Sequence, residues 1–243
     1  MKTKNYLYFF ASFLLIISSC KKPAKEPVTF ASTTYDFLSA YDAAGTPVNM
    51  LKDTISPNLR SFISTTLPDG QNLTKSHPEL FAATANNDIV VTQHCDVYIT
   101  FVSEGTAATN SIAFYTYPTS APPETSKDIS KITYVFPNAG NNTALIPGDK
   151  MKIGTYEAGT SIGFVVMHAA WEMNSGKLNN NVTHYCSDDI LNPEVNPALR
   201  KHMVFINYTP EKKTIVGFED TDRESPYCDN DFNDVVFYAT VVN

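Results

Sequence analysis

From Asp88 onward the chain is written in short runs of β-branched and aromatic residues: DIVVTQHCDVYITFVSE, SIAFYTYP, KITYVFP, KMKIGTYEAG, SIGFVVMHAAW, HMVFINY, KTIVGFE and FNDVVFYATVV. Each run is bounded by Gly, Pro, Asn or Asp, which supply turn geometry, and each suits a pleated, half-buried surface. No segment of helical period separates them, which argues against parallel βαβ crossovers. The pattern predicts a mainly β domain over residues 86–243, an antiparallel β-sandwich of jelly-roll-like type. Residues 34–85 read differently. TTYDFLSAYDAAG and SPNLRSFISTTLP mix apolar and polar positions, with Ser56 placed as an N-cap and Pro57 at the first helical position, so a short helical N-terminal region packed on the sandwich is expected.

The N-terminus carries a different pattern. Lys2 and Lys4 precede an apolar run from Tyr6 to Ile17, and Ile17-Ser18-Ser19-Cys20 places small residues before a cysteine. The run is too short for a comfortable membrane span, whereas the order of basic, apolar and small residues is that of a bacterial lipoprotein signal. Residues 1–19 are read as that signal peptide, Cys20 as the lipidated first residue and 20–33 as a tether; an ordinary secretory signal is the alternative. Lys21 and Lys22 stand where inner-membrane retention often uses Asp, which favours an outer-membrane address, periplasmic or surface-exposed. The membrane, reached through the lipid, is therefore the first expected partner.

Charge narrows the others. Losing Lys2 and Lys4 takes 18 basic residues to 16 against 25 acidic ones, a net charge near −9. Phosphate backbones require a basic footprint that this chain lacks, so nucleic acid is excluded as a partner. Of the other cysteines, Cys95 lies in an apolar strand, and Cys186 and Cys228 lie in the polar stretches THYCSDD and SPYCDND. In an oxidising envelope the last two are candidates for a disulfide, with two free thiols as the alternative.

The densest chemistry is at the C-terminal end. CDNDFNDVV crowds Asp229, Asp231, Asn233 and Asp234 ahead of a strand, and GFEDTDRE upstream adds Glu219, Asp220, Asp222 and Glu224, with Arg223 the sole positive charge. Like charges this close need either a hard cation or free access to water. The spacing opens like an EF-hand loop but is not one: Asp234 replaces the turn glycine, and Thr240 the closing glutamate. A β-type site is expected instead, with alternate oxygens of an extended segment facing one side. No His or Cys pair stands at zinc spacing beside these carboxylates, so Ca²⁺ is the expected cofactor. Glu219, Asp220, Asp229, Asp231, Asn233 and Asp234 are the candidate ligands, and Asp222 is read as solvated or paired with Arg223. A solvated acidic turn is the other reading.

Catalysis finds little support. The five histidines (His77, His94, His168, His184 and His202) could furnish an acid/base pair, and Glu104 follows a strand where a catalytic carboxylate could sit. Yet there is no G-x-S-x-G, H-E-x-x-H or phosphate-binding glycine loop, and His94, His168 and His202 read as hydrogen-bonded packing residues. A glycan-processing hydrolase is thus the weakest option, and a carbohydrate-binding module a stronger one. Trp171, the only Trp, precedes the polar loop EMNSGKLNNN and is the candidate stacking platform for a glycan; a protein ligand is the other expected surface partner.

The blocks TFVSEG, NSIAFYTYPTSAPP, VFPNAG, GDKMKIGTYEAGTSIGFVVMHAAW and LNPEVNPALRKHMVFIN, followed by VGFED and DRESPYCDNDFNDVVFYAT, resemble the LruC-like bacterial envelope family, domain of unknown function 4114, over most of residues 46–243. MHAAW departs from a glycine-containing turn in that pattern, and TAATN from a more glycine-rich loop. The resemblance implies a secreted or surface module, typically lipid-anchored, with a Ca²⁺-type acidic site and no established catalysis.

Overall fold

The computed structural model describes residues 28–243 apart from positions 83 and 86; the expected signal peptide and lipidated Cys20 lie outside the described residues. In chain order the strands are β1 (Thr34–Phe37), β2 (Leu51–Lys52), β3 (Ile89–Val91), β4 (Cys95–Glu104), β5 (Ser111–Pro118), β6 (Lys131–Phe136) and β7 (Asp149–Tyr156). They continue with β8 (Thr160–Met167), β9 (Trp171–Glu172), β10 (Lys177–Leu178), β11 (His184–Cys186), β12 (Met203–Tyr208), β13 (Lys213–Phe218) and β14 (Val235–Val242). One sheet has the order β1-β6-β5-β8-β11, with β3 also paired to β8; the other runs β12-β13-β14-β4-β7-β2, and β9 and β10 form a separate hairpin. β3 and β11 share one edge of β8 end to end, Ile89 facing Ile162 and His184 facing Met167.

The expected sandwich is present. Phe101, Phe114, Phe164, Val166, Val216 and Phe237 meet between the two sheets. Both outer faces are also covered, giving four layers. On the second sheet α1 (Pro57–Thr66) and α2 (Leu73–Ser76) lay Leu59, Ile63 and Leu73 over Val204, Ile215 and Val236. On the first, Phe30, Ile129 and Leu191 cover Tyr115, Tyr134, Val165 and Met167. Double coverage explains why β6 and β8 read as near-continuous apolar runs rather than alternations.

Ser56 caps α1 as expected, accepting the Leu59 N–H at 3.1 Å, with Pro57 in the first turn. The N-terminal region is more than a helical addition, however. β1 joins the first sheet parallel to β6, the exception to an otherwise antiparallel arrangement, and β2 extends the second sheet beside β7. Residues 34–85 therefore share the sheets of the domain at 86–243. No helix among the described residues is long and apolar enough to cross a membrane.

Candidate metal centre

β4, β13 and β14 end together, and the connection from Glu219 to Asp234 closes that end of the second sheet. The ladder continues a step past β14, where Gly105 N–H donates to the Asp234 carbonyl at 3.1 Å, and a bulge between Val236 and Phe237 twists the strand just inside it. Gly217 in β13 lets the returning loop lie close: a Cβ there would collide with the Phe232 carbonyl and stand 2.9 Å from Leu67 Cδ1.

The loop backbone is not the extended segment expected from the sequence. Asn230 and Phe232 both adopt left-handed φ, 62° and 58°. An alternation survives by this route. Asn230 accepts the Arg223 Nε–H at 2.8 Å and Phe232 enters the core beneath Phe81, while Asp229 and Asp231 gather with Glu219. Non-glycine residues pay strain in this region of φ, and the side chains that fix them here are an amide bonded to a guanidinium and a fully buried ring.

Five carboxylates meet in two overlapping groups. Glu219, Asp229 and Asp231 each place an oxygen within 4.8 Å of the others, and so do Glu219, Asp220 and Asp234. Calcium–oxygen bonds of about 2.3–2.6 Å put opposite ligands about 5 Å apart, so either group fits one coordination sphere. Glu219, Asp220 and Asp231 are 1%, 3% and 2% exposed, whereas Asp229 is open to solvent.

Neutral donors hold several of the oxygens. Asp220 Oδ2 accepts from Thr106 Oγ1 and Asn110 Nδ2, and Asp220 N–H donates to Asp234 Oδ2 at 2.7 Å. Asp231 accepts from Gly70 N at 2.8 Å and Asn233 N at 3.0 Å. Glu219 Oε1 receives a long bond from Thr221 N, 3.3 Å, the Cys228 thiol lies within bonding reach of the carboxylate, and Oε2 is buried with no geometrically formed hydrogen bond.

The electrostatics follow from crowding without solvent. Burial, then the Asp229 charge, pushes Glu219 up to about 7; burial, then Asp220 and Glu219, pushes Asp234 up to about 9. Asp231 is raised as well, chiefly by burial. Arg223 turns to neutral partners, donating to Asn230 Oδ1 and to the Lys201 carbonyl, both at 2.8 Å, and its guanidinium lies over the rings of Phe81 and Phe232. Asp222 accepts the Glu224 N–H at 2.9 Å and belongs to neither carboxylate group. Asn233 lies against Gly105, whose Cβ would stand 2.7 Å from its Oδ1.

Behind the loop His202, read from the sequence as a packing residue, is paired with Glu194, which the sequence did not single out. His202 Nδ1–H donates to the Glu219 carbonyl at 2.7 Å, and its Nε2 lies 3.2 Å from Glu194 Oε1, with both side chains fully buried. Tyr185 stacks on the imidazole at 3.9 Å and lines a cavity of about 860 Å³ with Phe30, Tyr35, Asn180, His184 and Asp222.

Two expectations are corrected. Trp171 is 3% exposed: the turn bridging Tyr41 and Pro47 closes over it, Tyr41 packs edge-on at 5.8 Å, and its carbonyl accepts from Thr109 Oγ1, so it offers no stacking face. Cys186 and Cys228 are both free thiols. Cys186 points into the apolar layer with Ala113, Tyr115 and Met167, its N–H bonded to Asn192 Oδ1, whereas Cys228 belongs to the acidic loop, where burial, then the neighbouring Glu219 charge, raises its thiol. Glu104 accepts the Thr106 N–H, and His94 is an exposed turn residue facing Glu157.

The fold and this site define a β-sandwich with a carboxylate cluster closing one end of a sheet. Residues 156–241, from the end of β7 into β14 and including the whole cluster, match the family described as a domain of unknown function, DUF4114, a narrower span than the resemblance of the sequence blocks. No curated protein and no solved structure matches the chain.

Proposed function

We propose that this is a non-catalytic cell-envelope protein, anchored by lipid on Cys20, whose sandwich takes up Ca²⁺ at Glu219, Asp220, Asp229, Asp231 and Asp234. The ion fixes the loop between β13 and β14 for surface interaction or adhesion. One observation carries the metal reading: Glu219 Oε2 is buried and unpartnered among four other carboxylates. A buried anion left so costs several kcal/mol, and a hard cation with oxygen ligands removes that cost. Burial of Glu219, Asp220 and Asp231 speaks against a solvated turn. The anchor reading rests on the sequence around Cys20 alone.

Calorimetric titration of metal-stripped protein tests the first half. Saturable Ca²⁺ binding at or below millimolar concentration is expected, with a rise in Tm that EDTA reverses; no saturable binding would reject it. A Cys20→Ala variant should no longer sediment with membranes in high salt, and persistent sedimentation would reject the anchor.

A further inference from the structure

We propose that the carboxylate site takes two divalent cations bridged by Glu219: an inner ion between Glu219, Asp220 and Asp234, and an outer ion between Glu219, Asp229 and Asp231. The proposal rests on the Ca²⁺ reading above and adds a second ion, a bridging ligand and an order of filling. The starting point is geometric. The carboxylates form two triads, each compact enough for one coordination sphere, and Glu219 is common to both. Its two oxygens suit that role, since Oε2 is buried without a formed hydrogen bond, Oε1 carries one long backbone bond, and the Cys228 thiol beside them is a weak donor that an ion displaces.

Charge points the same way. Five ionised carboxylates carry five negative charges, so one divalent ion leaves three in a corner where Glu219, Asp220 and Asp231 are shut off from water. A second ion leaves one. Hard oxygen donors at both positions fit Ca²⁺, or a trivalent lanthanide in its place, rather than zinc or copper.

The two positions differ in rigidity. The inner triad is preorganised: Thr106 and Asn110, from the connection between β4 and β5, hold Asp220 Oδ2, and the Asp220 N–H holds Asp234 Oδ2. The outer triad includes solvent-exposed Asp229, whose Oδ1 receives only a 3.4 Å bond from Asp231 N within the loop. The inner ion therefore binds first and tightly, while the outer ion keeps water in its shell, exchanges faster and leaves positions open on the surface of the protein.

Equilibrium dialysis of the metal-stripped, detergent-solubilised full-length chain against Ca²⁺ counts the ions, and circular dichroism checks the fold of each variant. Two ions per chain are expected in the parent, with the weaker affinity at least tenfold below the stronger. Asp229→Asn should leave one ion per chain, whereas Asp234→Asn should remove the tight step. One ion in the parent overturns the bridged pair while leaving the Ca²⁺ reading intact, and no ion overturns both. Two ions persisting in a folded Asp229→Asn chain overturn the assignment of the outer position.

Discussion

Replacing Glu219 by Gln should move stability in opposite directions with and without calcium. The substitution keeps the shape of the side chain and an oxygen able to accept the Thr221 N–H, but removes one buried charge. Without metal, burial and the Asp229 carboxylate raise the folded-state pKa of Glu219 from 4.5 to about 7. A raised pKa means that stability is fully present below 4.5 and lost as pH climbs through about 7, so at pH 8 the ionised form costs up to roughly 3 kcal/mol, at 1.36 kcal/mol per unit. Glu219→Gln should recover roughly 1–3 kcal/mol of this in EDTA, a Tm increase of roughly 3–10 °C for a chain of this size. At Ca²⁺ a hundredfold above Kd the parent gains about 2.7 kcal/mol that the variant forgoes, so the gap closes, and it reverses at higher Ca²⁺. Thermal melts followed by circular dichroism at pH 8 and pH 5, each with EDTA and with Ca²⁺, read the whole pattern; the advantage in EDTA should shrink at pH 5. A variant that melts below the parent in EDTA at pH 8, or that keeps the full Ca²⁺ shift, refutes the reasoning.

Three further outcomes follow from groups elsewhere in the sandwich. Burial raises Asp188 to about 6, and its carboxylate accepts the Tyr115 O–H at 2.6 Å; Asp188→Asn keeps the acceptor and should add roughly 2 kcal/mol at pH 7.5 and nothing below about pH 4, measured by urea denaturation. His184 is held neutral, donating from Nδ1 to the Val182 carbonyl and accepting the Tyr35 O–H at Nε2, both at 2.8 Å, and burial lowers it to about 4. Its contribution is present above pH 6.5 and lost on acidification through pH 4, so His184→Gln should flatten the acid limb of the stability curve over that window, and an unchanged limb would show that another group governs it. Gly217→Ala drives a methyl into the Phe232 carbonyl; it should cost about 1–3 kcal/mol by overpacking and weaken Ca²⁺ binding by shifting Asp231, both readable in one set of melts with and without the ion.

The strands were legible because their signals are local. β5 occupies the expected run SIAFYTYP, and β6, β12, β13 and β14 fall inside theirs, because turn residues mark the ends and β-branched or aromatic residues fill the interiors. The helix over the second sheet was legible from Ser56 and Pro57, but what covers the first sheet and extends both was not. Phe30 and Leu191 reach the outer face of the first sheet from distant segments, and β1 and β2 are too short to register as periodic, so the N-terminal region read as a helical addition instead of as two edge strands. The same gap explains Trp171: a tryptophan before a polar loop looks exposed until the turn from Tyr41 to Pro47, well over a hundred residues earlier, closes on it.

The acidic cluster divides along the same line. Its carboxylates could be read from the sequence because crowding within 219–234 is a local fact, whereas what turns crowding into a site is not. Thr106 and Asn110 fix Asp220 across 114 and 110 positions, and Gly70 fixes Asp231 across 161. Glu194 braces the histidine that holds the Glu219 carbonyl. None of these carries a motif, since a backbone N–H, a hydroxyl or an amide is informative only once the fold brings it to a charge. Cys228 shows the opposite error, in which local composition suggested a partner. Its neighbours in sequence matched those of Cys186, but the sandwich sends Cys186 into an apolar layer and keeps Cys228 in the loop, where burial and then a nearby carboxylate hold the thiol protonated. The corner is therefore built by long-range neutral donors that fix the carboxylates close together, while an oxygen of Glu219 at the centre is left without a protein partner. Holding like charges in place while withholding a donor from one of them raises the energy of the metal-free state, and that is the condition under which cation binding and loop order become a single equilibrium.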